Sequence, residues 1–263
     1  MGKRPGQEQF GDAVGASGHI DEVGASGSGD TVGDAGHGDV TGVESRADEP
    51  GGPSGYYRDE FGRIARFYDF SVRNAFRWIG GEIGFRCGIV EAADVRAGHH
   101  VLDVACGTGT LLALLAACTG PDGRAVGVDM SEEMLELGRG KVQMEQVEFV
   151  SGNAESLPFE EASFDRVTAS LAIHEMNRRG RWNALTEMRR VLKPGGLAVL
   201  ADMRRPDTFM TKLGMRFVGL VETDTLTDLW SNGLFREVGE AGFTDRRRHI
   251  AGRGFFEIIV ARK

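Results

Sequence analysis

The sequence predicts an α/β protein on a seven-stranded, mostly parallel sheet. Two patterns carry that reading. After Gly98, short apolar runs alternate with longer segments of helical period, as βαβ units require. Near the C-terminus, two apolar runs sit a short turn apart, which makes an antiparallel pair at a sheet edge.

Taken in order, residues 1–55 are set apart by composition. They hold 15 of the chain's 39 glycines and one aromatic, Phe10, with ten acidic residues against three basic. The segment VGASG occurs at Val14–Gly18 and Val23–Gly27, and a degenerate VGDAG at Val32–Gly36. Such a tail lacks the apolar surface to offset its ordering entropy, so it is expected to be disordered. From Tyr56, Phe61, Ile64, Tyr68, Val72, Phe76, Ile79 and Ile83 fall at helical spacing. Residues 56–97 are therefore expected to form a helical cap, broken at Gly80-Gly81. The main domain is expected over 98–263. Its strands are His99–Ala105, Arg124–Asp129, Val147–Ser151, Phe164–Ala169, Leu197–Asp202, Phe243–Ile250 and Phe255–Arg262. Its helices are Thr110–Cys118, Ser131–Gln143, Arg181–Leu192 and Ser231–Ala241, with Trp182, Leu185, Met188 and Leu192 on the buried face of the third. Met210, Leu213, Phe217, Leu220 and Val221 recur at helical spacing. They form either a substrate lid within 203–235 or a helix packed on the sheet.

Composition excludes several classes. The chain's net charge is −8, and almost all of that acidity lies in the tail, leaving a near-neutral body with no nucleic-acid footprint. No apolar run reaches the 18 residues that a membrane span needs. The start, MGKRPGQEQFGD, lacks the apolar core of a secretory signal. Cys87, Cys106 and Cys118 are too few and scattered for a disulfide framework or a metal site, and a reducing, cytoplasmic setting fits them.

The strongest motif is VLDVACGTG at 101–109, a strand running into Gly107-Thr108-Gly109 and then a helix. Glycines there let backbone approach a ligand, and the helix N-terminus offers free N–H groups. The third glycine of a dinucleotide fingerprint is missing, and Asp103 would repel a pyrophosphate. A ligand with an ammonium group suits this loop better. Asp129, ending the second strand about 20 residues beyond the glycines, is placed to accept both hydroxyls of a ribose. A helix cap is its other reading.

VLDVACGTG, VGVDMSEEML, GNAESLPF, FDRVTASLAIHEM and RVLKPGG together resemble the successive motifs of class I S-adenosylmethionine-dependent methyltransferases. The upstream FGRIARFYDF is similar to the ubiquinone and menaquinone C-methyltransferase subgroup. The resemblance implies a Rossmann-like, doubly wound sheet with an antiparallel last strand. It implies S-adenosyl-L-methionine held by Tyr68, Asp103, Ala105, Gly107, Thr108, Gly109, Asp129, Met130, Asn153, Ala154 and Ser170. Asn153 stands where the family often has aspartate, and His174-Glu175 where the quinone subgroup usually has arginine and asparagine.

Methyl transfer releases a neutral thioether, so a base matters only for a protonated acceptor. His174 and then Glu175 are the candidates, His174 because its ordinary pKa lies near neutrality; a strand-end histidine bonded to backbone is the alternative. Arg204 and Arg205 could hold an anionic substrate or simply be solvated. The expected partner is a small, hydrophobic, quinone- or lipid-like acceptor. A lipid acceptor would bring peripheral membrane contact, though no basic amphipathic helix argues for it. No metal is expected. The competing readings are a methyltransferase acting on a polar molecule, an NAD-dependent oxidoreductase, and a cofactor-binding scaffold without catalysis.

Overall fold

A computed structural model describes residues 74, 76, 77, 80–208, 211 and 224–263. The expectations for the tail, for most of the cap including Tyr68, and for the possible lid from Met210 to Val221 lie outside these residues. In chain order the elements are α1 Glu82–Ala93, β1 His100–Val104, α2 Thr110–Thr119, β2 Arg124–Asp129, α3 Glu132–Lys141, β3 Val147–Ser151 and β4 Phe164–Ser170. A one-turn 3₁₀ segment, Ile173–Glu175, precedes α4 Arg178–Val191 and β5 Leu192–Met203. Then follow α5 Asp224–Asn232, α6 Leu234–Glu240, β6 Thr244–Ala251 and β7 Phe256–Arg262.

The strands form one seven-stranded sheet in the order β3-β2-β1-β4-β5-β7-β6. The first five are parallel, and β7 runs antiparallel to both its neighbours. Central strands covered on both faces must be apolar on both. Accordingly, Val101, Val199, Ala201 and Ile258 pack with Phe85 and Ile89 of α1 and Leu111 and Leu115 of α2. Their neighbours Leu102, Val104, Val167 and Leu200 pack on the opposite face with Ala184, Leu185 and Met188 of α4 and Leu229, Leu234 and Val238 of α5 and α6. The chain turns back between β1 and β4, the switch point outside which ligands bind in such sheets.

Three details differ from expectation. The segment expected as one helix, Ser231–Ala241, is two, because Gly233 takes φ 80 and ends α5 before α6 begins. Ile83 is not a core residue: it is 58% exposed, and α1 buries Phe85, Arg86, Ile89 and Ala93 instead. Trp182 is also largely exposed, whereas its neighbour Arg181 is fully buried.

Arg181 explains that rotation of α4. Its guanidinium donates to both oxygens of Glu237 at 2.8 and 2.7 Å, to Asp228 Oδ2 at 2.6 Å and to the Met176 carbonyl at 2.9 Å. A buried cation must satisfy its donors, and one residue bonds α4 to α5, to α6 and to the rim loop after β4. Removing one partner of such a buried pair typically costs about 3 kcal/mol or more. Arg181→Ala is therefore expected to lose about 3 kcal/mol in urea unfolding, and Trp182→Ala less than about 0.5 kcal/mol. A larger loss for Trp182→Ala than for Arg181→Ala would reverse the assignment of the buried face.

Candidate active site

Each strand that borders the switch point ends on a non-glycine residue in left-handed backbone. Ala105 after β1 and Leu171 after β4 both have φ near 55° (54° and 56°). Such conformations cost about 1–3 kcal/mol and concentrate at functional sites. Beyond Ala105 the loop continues with Gly107 at φ 53 and Gly109 at φ 74. A Cβ at Gly107 would meet nothing within 4 Å, so open space faces the loop there. At Gly109 a Cβ would come within 2.6 Å of the Phe149 ring, so only glycine allows this approach. Gly109 also begins α2 without a capping side chain, and the first bond into the helix is Ala113 N–H to the Gly109 carbonyl. The amides of the first turn therefore lack intrahelical acceptors.

Two carboxylates flank this loop. Asp129 Oδ2 accepts the Gly107 N–H at 2.8 Å and Oδ1 accepts the Ser131 N–H at 2.9 Å. The helix cap is thus Ser131, whose hydroxyl accepts Met134 N–H, while Asp129 ties the glycine loop to the end of β2. Burial raises its carboxyl above the ordinary range against these backbone donors. Asp103 is almost fully buried and accepts the Thr168 hydroxyl at 2.7 Å. Burial pushes it up to about 7, opposed by the Thr168 hydrogen bond and the Arg86 cation and assisted by Asp129.

The other expected residues surround them. Met130 is 48% exposed beside Asp129, and Gly152 N–H donates to the Asp129 carbonyl. Asn153 Oδ1 accepts the Glu155 N–H in a turn after β3, and Ala154 is packed into the core there. Thr108 is buried, and its hydroxyl accepts from Lys141 Nζ at 2.8 Å, as does that of Thr110. Nothing in the local sequence marks Lys141 or Arg86, and only the fold brings them to this loop. Ser170, at the end of β4, has a buried hydroxyl with no hydrogen-bond partner among the described residues.

His174 is enclosed by carboxylates. It is buried, with Nδ1 2.7 Å from Asp202 Oδ1 and Nε2 3.1 Å from Glu175 Oε1. Its backbone N–H donates to Asp202 Oδ2 at 3.1 Å. Burial disfavours the imidazolium, but the two carboxylates prevail and raise the pKa to about 10. A ring protonated at neutral pH, with both nitrogens engaged, has no lone pair for a substrate proton. Both ring nitrogens of His174 thus face carboxylates, which favour its protonated form.

The donor set fits the group that the resemblance implies. Carboxylates suit an ammonium and a ribose, the glycine loop leaves space for close approach, and the Ser170 hydroxyl awaits a partner.

The His174 cluster also sets a pH dependence. A histidine raised from 6.5 to about 10 on folding contributes fully below pH 6.5. That contribution is lost as pH rises toward 10. Relative to His174→Gln, the native chain is expected to lose stability over this range in urea unfolding. Parallel pH profiles for the two proteins would contradict the assignment.

The chain is similar to several known proteins. The methyltransferase domain family matches residues 101–196. A protein of Synechocystis named as an uncharacterized methyltransferase is 38% identical over 186 residues, covering 70% of this chain and 85% of that relative. A demethylmenaquinone methyltransferase of Symbiobacterium thermophilum is 39% identical over 165 residues, 60% of this chain. The chain spans 63% of that relative's length. The crystal structure of an S-adenosylmethionine-dependent methyltransferase from Aquifex aeolicus superposes with TM-score 0.54 at 20% identity, over 67% of this chain and 88% of that one, and so shares the fold. With the glycine loop, the strand-end carboxylates and the sheet order already in place, these similarities show that the chain belongs to the class I S-adenosylmethionine-dependent methyltransferases.

Proposed function

We propose that this methyltransferase acts on a small, largely apolar acceptor of the quinone or lipid kind. The observation that carries the reading is the likeness to demethylmenaquinone methyltransferases, whose acceptor is a quinone by name. Family membership removes the NAD-dependent alternative.

S-Adenosylmethionine supplies an electrophilic methyl on a sulfonium centre. The residues of this chain bind, orient and exclude water. Asp103 would face the cofactor's ammonium end, Asp129 would accept the ribose hydroxyls, and Met130, Asn153 and Ala154 would border the adenine. The loop Ala105–Gly109 and the Ser170 hydroxyl would hold the methionine part. His174 is a positioning residue. Its ring contacts the Glu175 carboxylate after β4, and this pair stands where a methyl acceptor would give up a proton.

Three outcomes test these roles. Asp129→Ala is expected to weaken S-adenosylhomocysteine binding by more than tenfold, about 1.4 kcal/mol, in calorimetry; unchanged affinity would remove Asp129 from the site. Because only the ionised Asp103 attracts an ammonium, affinity is expected to fall as pH drops below about 7 and to level off above it. Asp103→Asn should flatten that profile, and a flat profile in the native chain would contradict the role. Methyl-labelled S-adenosylmethionine, incubated with protein and host-cell extract, is expected to place label in the organic phase. Label confined to the aqueous phase would mean a polar acceptor, and binding without transfer would mean a scaffold.

A further inference from the structure

Arg86 and Arg181 are both buried, but they use their donors differently. Arg181 engages Nε and both terminal nitrogens with protein acceptors. Arg86 is nine-tenths covered, yet it makes a single hydrogen bond among the described residues, from Nε to Glu82 Oε1 at 2.9 Å one turn earlier on α1. Its two terminal nitrogens remain as a fork with no protein acceptor among the described residues. A buried cation with free donors calls for an acceptor.

The fold sets that fork on the cofactor side of the sheet. α1 covers one face, where Phe85 and Ile89 pack with Val101, Val199 and Ala201. Side chains alternate along a strand, so Asp103, two residues beyond Val101, lies on the same face. Strand register puts Thr168 beside Asp103 and Ser170 beside Ala201. Asp103, Thr168 and Ser170 therefore share the α1 side of the ends of β1 and β4, where the sheet switches direction. The Arg86 cation acts on the Asp103 carboxyl, lowering it against the effect of burial, but no ion pair joins the two directly among the described residues. The Ser170 hydroxyl is enclosed there without a partner among the described residues.

A held guanidinium, a buried carboxylate not in contact with it and a hydroxyl lacking a partner complement an amino-acid zwitterion. The methionine end of S-adenosylmethionine is such a group. Asp103, Ser170 and the glycine loop offer its carboxylate no cation, and Lys141, the other cation at the loop, is bonded to the Thr108 and Thr110 hydroxyls. We propose that Arg86 binds the cofactor's carboxylate, so that Arg86 and Asp103 hold the two charges of the methionine end from opposite sides. The proposal rests on the assignment of the ammonium to Asp103, and it adds a cofactor residue from α1, ahead of the segment 101–196 that matches the methyltransferase family.

Three ligands separate the contributions in calorimetry on the full chain. S-Adenosylhomocysteine carries both charges, its decarboxylated form keeps the ammonium, and methylthioadenosine lacks both. The native chain is expected to bind S-adenosylhomocysteine about tenfold or more tightly than the decarboxylated form, as a charge-assisted forked contact should give. Arg86→Met should bring S-adenosylhomocysteine down to the affinity of the decarboxylated form while leaving methylthioadenosine unchanged. Arg86→Lys should restore part of the difference, and Lys141→Met should keep all of it. Equal binding of the two charged ligands by the native chain, or an undiminished difference in Arg86→Met, would overturn the proposal. So would loss of the difference in Lys141→Met, or an equal loss of all three ligands in Arg86→Met, which would mark a purely structural role. A native chain that binds the decarboxylated form no better than methylthioadenosine would instead count against Asp103 as the partner of the ammonium.

Discussion

A guanidinium with no exposed surface has to find acceptors for its donors inside the protein, and Arg181 finds them on three separate segments. That demand decides how α4 rolls on the sheet, why Trp182 faces solvent and where α5 and α6 dock. It also anchors the Met176 carbonyl, directly after the turn that carries His174 and Glu175. Leu229 and Leu234, buried in the core, stand on the two helices that Arg181 holds through Asp228 and Glu237. Packing alone would let these helices slide, whereas directional charge-assisted bonds do not.

On the cofactor side the organising group is Asp129. A carboxylate that accepts one N–H from the glycine loop and another from the start of α3 joins the ends of two strands. It leaves lone pairs for further donors. The strained backbone at Ala105 and Leu171 lies on either side of the same opening. Energy spent on two left-handed residues there is consistent with a surface shaped for a ligand rather than for stability.

Between the two sides lies a graded set of titratable groups. Asp103 is raised by burial toward neutrality, while His174 is raised by its carboxylate neighbours far above it. Burial opposes charge in both, and the outcome turns on partners. Asp103 has a hydroxyl and a distant cation, whereas His174 has two carboxylates in contact. This is why the fold favours the protonated form of His174.

The sequence by itself determined the sheet, its strands and the glycine loop, because hydrophobic period and turn residues are local and each central strand is covered on both faces. It also marked Asp103 and Asp129 through their offsets from the glycines, and Ser131 as the start of the following helix. Burial of Arg181, the exposure of Ile83 and Trp182, the break at Gly233 and the state of His174 were decided by tertiary structure. Helical period places a residue on a face but does not say whether that face meets a carboxylate. Glu237 and Asp202 lie 56 and 28 residues away from Arg181 and His174, and only the folded chain brings them into contact.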